Sequence, residues 1–281
     1  MQEVILDTLL DTGKLIPFLF VTYLLMEYME HKAQNKMMAL IRKNGVAGPV
    51  MGAVIGVFPQ CGFSASAANF YAGRLINLGT LLAVFLSTSD EMLPILLSEQ
   101  VPLSVVGGIL LFKILVAVTV GVGINLLWRF WKKDTEEVDI HGMCEKEHCH
   151  CEEGIVRSAL HHTIHITLFV LLFSFVLNVL IFWIGEETLA GFILNKPVVG
   201  PLITALVGLL PNCAASILIT QLYLNGLMGL GAMLAGLLSG CGIGLAVLFK
   251  VNHHWKENVT ILGILYAVGT VVGILVELFL M

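Results

Sequence analysis

Two short motifs in this chain combine a proline with side chains of the kinds that bind ions. The first, Pro59-Gln60-Cys61-Gly62-Phe63-Ser64, recurs 152 positions later as Pro211-Asn212-Cys213-Ala214-Ala215-Ser216. Each copy places an amide, a thiol and a hydroxyl in an apolar stretch, where a proline breaks the helix and frees backbone carbonyl groups. Two facing helix breaks are typical of the midplane site of a secondary transporter. The alternative is a kinked helix with a buried thiol, since free cysteine is often buried.

A polar run, Ser87–Glu91, lies inside the apolar stretch 76–97. Carboxylates inside a membrane are costly and usually functional. The residues that follow are still apolar, so Asp90 lies about 10 Å from the outer end of its helix at 1.5 Å per residue. The alternative is a helix end exposed to solvent. From the motifs and this run we expect eleven substrate-binding residues: Gln60, Cys61, Ser64, Asn69, Ser87, Ser89, Asp90, Glu91, Asn212, Cys213 and Ser216.

Lys113 is a basic residue in the middle of the next apolar stretch. By the same count it lies about 15 Å from the outer end of its helix, close to the depth of Asp90. At the equivalent positions of the second copy, the two acids and the lysine are all replaced by uncharged residues, Gly242, Ile243 and Leu265. This joint absence predicts an ion pair of Lys113 with Asp90 or Glu91, in which Lys113 acts as a coupling residue.

A third group of candidate ligands lies in the hydrophilic segment 129–157. Thiolate and imidazole together suit zinc, copper and similar metals. The spacing is not that of a folded zinc finger, and a flexible polar linker is the alternative interpretation. We expect a cytosolic site that collects soft metal ions, with the ligands Cys144, His148, Cys149, His150 and Cys151.

Composition places these residues in a membrane protein. Of 281 residues, 57% are hydrophobic and 12% charged, against roughly 25% charged in a soluble domain. The chain has no phosphate-binding Gly-x-x-x-x-Gly-Lys-Ser/Thr motif and no His-Glu-x-x-His or Ser-His-Asp arrangement, so an ATP-driven pump and an enzyme are both disfavoured. We expect no catalytic residue and no cofactor other than the transported ion and a metal on the linker.

The chain is a duplicated unit. Residues 48–87 and 200–239 share 15 of 40 positions without a gap. Apolar stretches of about 20 residues, the length that crosses a bilayer, predict six long spans: 13–30, 76–97, 103–128, 163–184, 228–249 and 258–280. The motif regions 46–73 and 198–225 are each too long for one helix. Each is either one broken span or a hairpin of two short helices.

The loop charges favour the hairpin interpretation. Lysine and arginine accumulate on the cytoplasmic side, and two hairpins place all the basic loops on one face and the loops around Glu99 and Glu186 on the other. Each repeat then has an odd number of passes. We therefore expect an all-α membrane protein of two inverted repeats of about five helices, each with a Pro-broken short-helix hairpin. Both termini are then extracytoplasmic, and the domains are repeat 1 (1–128), the His/Cys-rich linker (129–157) and repeat 2 (158–281).

The duplicated Gly-Pro…Pro-x-Cys-x-x-Ser pattern, the Ser-Thr-Ser-Asp-Glu run and the His/Cys linker together resemble a bacterial family of manganese transporters. This family is also described as ten-helix heavy-metal exporters and is distantly similar to the organoarsenical permeases. The resemblance covers essentially the whole chain and implies plasma-membrane efflux of a divalent cation or a metalloid. By position it points to these residues: Pro59, Gln60, Cys61, Ser64, Asp90, Glu91, Pro211, Asn212, Cys213 and Ser216.

The residues support a secondary transporter that exports a divalent metal by alternating access, and they leave the substrate open. Carboxylate, amide and carbonyl oxygens suit manganese, whereas the thiols suit softer ions. One alternative is an arsenical or sulfur-oxyanion permease, and another is a membrane metal sensor without transport. The expected partners are the lipid bilayer and the metal ion, with no nucleic acid and with a homodimer left open.

Overall fold

The computed structural model describes residues 13, 16–17, 19–21, 23–24, 47–58, 61–89, 91–131, 155–184 and 198–280. Within these ranges all regular secondary structure is helical and no strand occurs. Four apolar segments there are long enough to cross a membrane: Leu78–Ser98, Leu103–Leu127, Leu230–Val251 and Trp255–Phe279. The expectation of an all-α membrane protein is confirmed.

Five helices form the first half of the described fold and six the second. The first five are α1 (Ala47–Gly56), α2 (Cys61–Ala72), α3 (Leu78–Ser87), α4 (Met92–Ser98) and α5 (Leu103–Trp131). The others are α6 (Ile155–Ile184), α7 (Val199–Gly208), α8 (Cys213–Leu224), α9 (Leu230–Ser239), α10 (Gly244–Val251) and α11 (Trp255–Leu280). The described residues from Gly13 to Leu24 are helical as well.

The helix boundaries repeat along the chain. Each of the helices α1 to α5 begins 152 positions before its counterpart among α7 to α11. This is the offset that separates the two proline motifs, so the duplication extends over five helices. In both copies the motif separates two short helices, because α2 and α8 begin at the cysteine of the motif.

Two of the expected spans are interrupted in the middle. The stretch 76–97 divides into α3 and α4, and 228–249 divides into α9 and α10. At the end of α3, the hydroxyl groups of Ser87 and Thr88 both donate to the Val84 carbonyl, at 3.0 and 2.7 Å. In the second copy Gly242 has φ +52°, a conformation that glycine adopts readily. These local features end each helix although the stretch around them stays apolar.

The packing of the helices repeats within each half and crosses between the halves. In the first half α3 packs on α1 and α5, and in the second half α9 packs on α7 and α11. The short helices pack on the opposite half, α2 on α10 and α8 on α4, and α3 also meets α9. The two halves therefore share one interior.

Glycines allow the long helices to approach closely. A methyl group at Gly121 in α5 would lie 2.6 Å from the Gly79 carbonyl oxygen, and one at Gly273 in α11 would lie 2.6 Å from the Gly231 carbonyl oxygen. These two contacts occupy equivalent positions in the two halves. Small residues of this kind let helix backbones pack tightly in membranes. Gly269, one turn before Gly273, meets α9 in the same way, because a methyl group there would lie 2.6 Å from the Ala235 carbonyl oxygen.

Gly121→Ala is expected to lower the midpoint of thermal unfolding of the protein in detergent. The added methyl group would overlap the backbone of α3, and overpacking of this kind costs about 1–3 kcal/mol. Gly123→Ala is the matched control on the same helix, because nothing lies within 4 Å of the methyl group it adds. Equal melting temperatures for the two variants would contradict the close contact of α3 with α5.

Candidate functional site

The interruptions of the helices meet at one small cavity. Its lining comes from the end of α7, the beginning of α8, the end of α9 and both interrupted segments. The residues are Thr88, Ser89, Gly208, Asn212, Ala215, Ser216, Gly236, Leu237, Gly240 and Gly242. The space open to the centre of a water-sized sphere is about 10 Å³, room for about one water molecule. Both halves of the chain contribute to this cavity, so it is the candidate substrate site.

The polar groups at the cavity come from the ends of helices. Asn212 precedes α8, and its side-chain oxygen accepts a hydrogen bond from the Ala214 amide at 3.3 Å. Ser216 lies one turn later and its hydroxyl donates to the Cys213 carbonyl at 2.8 Å. Ser89 is 2% exposed and its hydroxyl donates to the Ser87 carbonyl at 3.1 Å. Three predicted residues, Ser89, Asn212 and Ser216, therefore line one cavity.

Lys113 connects the two interrupted helices next to this cavity. The residue is completely buried in α5, and its ammonium group donates to the Thr88 carbonyl, just after α3. The same group donates to the Leu237 carbonyl in the last turn of α9 at 2.9 Å. One bond is therefore made to each half of the fold. The structure brings Lys113 to the polar run Ser87–Glu91, in agreement with the depths expected from the sequence.

The position of this ammonium group is electrostatically favourable. The last carbonyl groups of a helix carry partial negative charge, and here the ends of α3 and α9 both face Lys113. A lysine at the centre of a membrane helix costs about 3 kcal/mol on insertion scales. Two hydrogen bonds from a charged donor contribute about 1.5–3 kcal/mol each. They therefore offset the cost of burying the charge.

Ser64 and Asn69 lie on α2, away from the lining of the cavity. Both are completely buried. A methyl group at Gly244, the first residue of α10, would lie 2.7 Å from Cβ of Ser64, so Ser64 faces the start of α10. Asn69 donates to the Ala65 carbonyl at 2.9 Å and accepts from the Tyr23 hydroxyl at 2.7 Å. The bond from Tyr23 attaches the helical residues near the N-terminus to α2.

The thiol groups of the second half are buried. Cys213 is 2% exposed and Cys241 is 1% exposed, and neither lines the cavity. Ser87 is completely buried beside the lining residue Thr88, and Glu91 is partly exposed just before α4. For Cys61 only the backbone, at the start of α2, is described. Two predicted site residues, Gln60 and Asp90, lie outside the described residues, and the ion pair of Lys113 with Asp90 or Glu91 stays a prediction.

The expected metal ligands of the linker also lie outside the described residues: Cys144, His148, Cys149, His150 and Cys151. Among the residues that are described, no group of three or more histidine, cysteine, aspartate or glutamate side chains is placed to hold a metal. The metal collector therefore remains an expectation from the sequence.

A salt bridge joins the two halves at one end of the fold. The guanidinium group of Arg74, before α3, contacts the Glu257 carboxylate at the start of α11 at 3.1 Å. The Tyr71 hydroxyl donates to the same carboxylate at 3.2 Å, and Asn252 does so at 3.4 Å. The loop before α3 and the loop after α10 therefore share one end of the molecule.

The comparison with known families agrees with this architecture. The family described as "Putative, 10TM heavy-metal exporter" matches residues 114–254 and 187–280, together more than half of the chain. The chain belongs to this family. No curated protein and no solved structure matches the chain significantly. As a member of a heavy-metal exporter family, it is a multi-pass membrane transporter whose substrate class is a heavy metal.

Among the described residues of this family member, four apolar segments are long enough to cross a membrane, and α1, α7 and α8 are shorter apolar helices.

Some groups of the exporter's cavity were not anticipated from the sequence. Gly208 and Gly240 line the cavity, and the carbonyl group of Leu237 binds Lys113. Thr88 contributes both a lining side chain and a carbonyl group. The sequence does not reveal which main-chain carbonyl groups bind a ligand, because every residue has one. Position 88 could have been found, because it lies inside the polar run.

Lys113→Met is expected to lower the thermal stability of the exporter in detergent. It leaves the carbonyl groups of Thr88 and Leu237 without their donor, which costs about 1–3 kcal/mol for each buried group. Lys113→Gln keeps N–H donors without the charge and is expected to recover part of the loss. Leu265→Met, at the equivalent buried position of α11, is the control. A Lys113→Met variant as stable as Leu265→Met would contradict the bridging role.

Proposed function

We propose that this exporter is a secondary transporter that moves a divalent metal cation, manganese or another heavy metal, out of the cytoplasm by alternating access. The observation that carries the proposal is the buried cavity where the interrupted helices α3–α4 and α9–α10 meet. Interrupted helices that place carbonyl groups and helix ends at one point are the usual way a secondary transporter builds its ion site. The membrane in which it acts is the plasma membrane.

The proposal includes two inverted repeats, each with a short-helix hairpin. The salt bridge of Arg74 with Glu257 supports this, because a hairpin puts these loops on one face. A single crossing of each motif region would put them on opposite faces. The N-terminal end of α3 then lies at the same face as the C-terminal end of α10, so the two interrupted segments run in opposite directions. The repeats are residues 1–128 and 158–281, and the linker is 129–157.

A matched pair of contacts supports the equivalence of the two repeats. The Gly79 amide at the start of α3 donates to the side chain of Asn125 at 3.1 Å. The Gly231 amide at the start of α9 donates to the Glu277 carboxylate at 2.7 Å. These pairs are equivalent by the offset of 152 positions. In the proposed topology the first pair lies near the cytoplasm and the second near the outside.

The predicted site residues then act together around the cavity. We propose that the cation is bound by oxygen atoms of Ser89, Asp90, Asn212 and Ser216, with Glu91, Gln60 and the carbonyl groups of the interrupted segments nearby. Lys113 neutralises these groups in the absence of the cation and is displaced when it arrives. Ser64, Asn69, Ser87 and the two motif cysteines, Cys61 and Cys213, support the helices that move.

We also propose that the linker gathers metal for the site. The ligands there, Cys144, His148, Cys149, His150 and Cys151, suit zinc or copper better than manganese. Because the linker follows α5, the proposed topology places it on the cytoplasmic face. Metal held there is close to the entrance of an export pathway.

One observation favours a second candidate, a permease for an arsenical or a sulfur oxyanion. The cavity is lined by Asn212 and by the first turn of α8, and the N-terminus of a helix attracts anions. The motif thiol of Cys213 follows directly in the chain. Competition between substrates distinguishes this candidate from the cation exporter.

The proposal is tested by uptake of metal into inside-out vesicles that contain the protein. Ser89→Ala removes an oxygen from the cavity and is expected to raise the metal concentration for half-maximal uptake about 5- to 30-fold, as for the loss of about 1–2 kcal/mol of binding. Ser98→Ala is the matched control, because Ser98 is exposed at the other end of α4 and also bonds a nearby carbonyl. Equal uptake by the two variants would contradict the site.

Competition in the same vesicles separates the candidates. Manganese and zinc should compete for uptake in a cation exporter, and arsenite should not. Competition by arsenite alone would favour the permease. Binding of metal without any uptake would favour a sensor.

The inverted topology is tested by labelling single cysteines in a Cys-free background. Arg74→Cys and Lys256→Cys are expected to react with a membrane-impermeant reagent only from the cytoplasm. Leu227→Cys lies in the loop between α8 and α9, which is equivalent to the loop between α2 and α3 that contains Arg74. It is expected to react only from outside. Labelling of Arg74→Cys and Leu227→Cys from the same side would contradict inverted repeats, because inversion places these equivalent loops on opposite faces.

A further inference from the structure

Two histidines lie one turn apart on α6, outside the candidate substrate site. His161 and His165 are both exposed. Their imidazole rings stack, with 6.3 Å between the ring centroids and 15° between the ring planes. Residues four apart on a helix are neighbours on its surface. The two rings therefore lie side by side on the surface of α6.

The length of α6 places this pair at the membrane surface. Its 30 residues extend over about 45 Å, longer than the hydrocarbon core of about 30 Å. The polar residues are concentrated in the first half of the helix, so its N-terminal turns extend into the aqueous layer. The Lys250 ammonium group lies 5.6 Å from the centroid of the Phe169 ring. Lysines near helix ends extend to the interface, so Phe169 marks that level, and His165 and His161 lie beyond it.

Two neighbouring imidazoles suit a particular class of metal ion. The imidazole nitrogen is a common ligand of zinc, nickel and copper, and such sites bind manganese more weakly. Ligands four apart on a helix reach the same ion, as in zinc sites formed by a His-x-x-x-His pair. Arg157 lies one turn before His161, and its positive charge opposes a cation. Two protein ligands and this charge predict moderate affinity, with water molecules as the remaining ligands.

We propose that His161 and His165 form a binding site for a divalent zinc, nickel or copper ion at the membrane surface. The site is separate from the buried cavity, whose groups are oxygen atoms and carbonyls. It lies on α6 and does not include any of the linker ligands. The site binds softer ions independently of transport. If the experiment shows no metal site at these histidines, the proposed function as an exporter is unaffected.

The test is a calorimetric titration of the full chain, in lipid nanodiscs, with nickel chloride. The background carries serine or alanine in place of the linker ligands Cys144, His148, Cys149, His150 and Cys151. Nickel is expected to bind at this pair, and His161→Ala and His165→Ala should each weaken that binding event at least about tenfold, a loss of about 1.4 kcal/mol. His253→Ala, at an exposed loop histidine, is the control and should keep the affinity.

Hydrogen exchange provides a second readout. A metal that joins positions 161 and 165 should slow exchange of the amides in this turn of α6, because binding stabilises the helical form. Nickel should not have this effect in His165→Ala. Manganese chloride at the same concentration should protect the turn much less. Absence of saturable nickel binding, or unchanged binding in both single variants, would overturn the proposal.

Discussion

An ammonium group between the ends of two helices holds the centre of this protein together. Lys113 belongs to α5, yet its hydrogen bonds are made to the carbonyl groups of Thr88 and Leu237, one in each half of the chain. Both helices could instead have continued through the membrane with their carbonyl groups satisfied internally. They end early instead, which leaves carbonyl groups without a donor inside the helix. The buried ammonium group of Lys113 donates hydrogen bonds to two of them. A cavity lined by helix ends is the direct consequence.

Equivalent residues stabilise the first turns of α3 and α9 in the two halves, but they differ in charge. Asn125 and Glu277 occupy equivalent positions and accept hydrogen bonds from the first turns of α3 and α9. A carboxylate at a helix N-terminus adds charge stabilisation that an amide lacks. The lysine, by contrast, occurs only in the first half, because Leu265 takes its place in the second. A duplicated scaffold thus carries an asymmetric charge distribution.

Local signals predicted much of the fold. The prolines and the repeated cysteines Cys61 and Cys213 marked where α2 and α8 begin, and depth along the helices brought Lys113 to the polar run. The interruptions after Ser87 and Ser239 were missed, because hydroxyl groups and glycines end these helices inside stretches that remain apolar. The packing of α2 on α10 was also missed, since a contact between distant segments has no local signature. The cavity therefore emerged only from the assembled helices.

The exchange of short helices between the halves has a consequence for biosynthesis. When the ribosome has completed α5, the partners of α2 and α4 in the other half are not yet made, because these helices pack on α10 and α8. Lys113 then has the Thr88 carbonyl but not that of Leu237. The first half must remain in the bilayer as an incomplete intermediate until the second half arrives. Maturation is therefore a single late event, and neither half is expected to be a stable unit when it is synthesised alone.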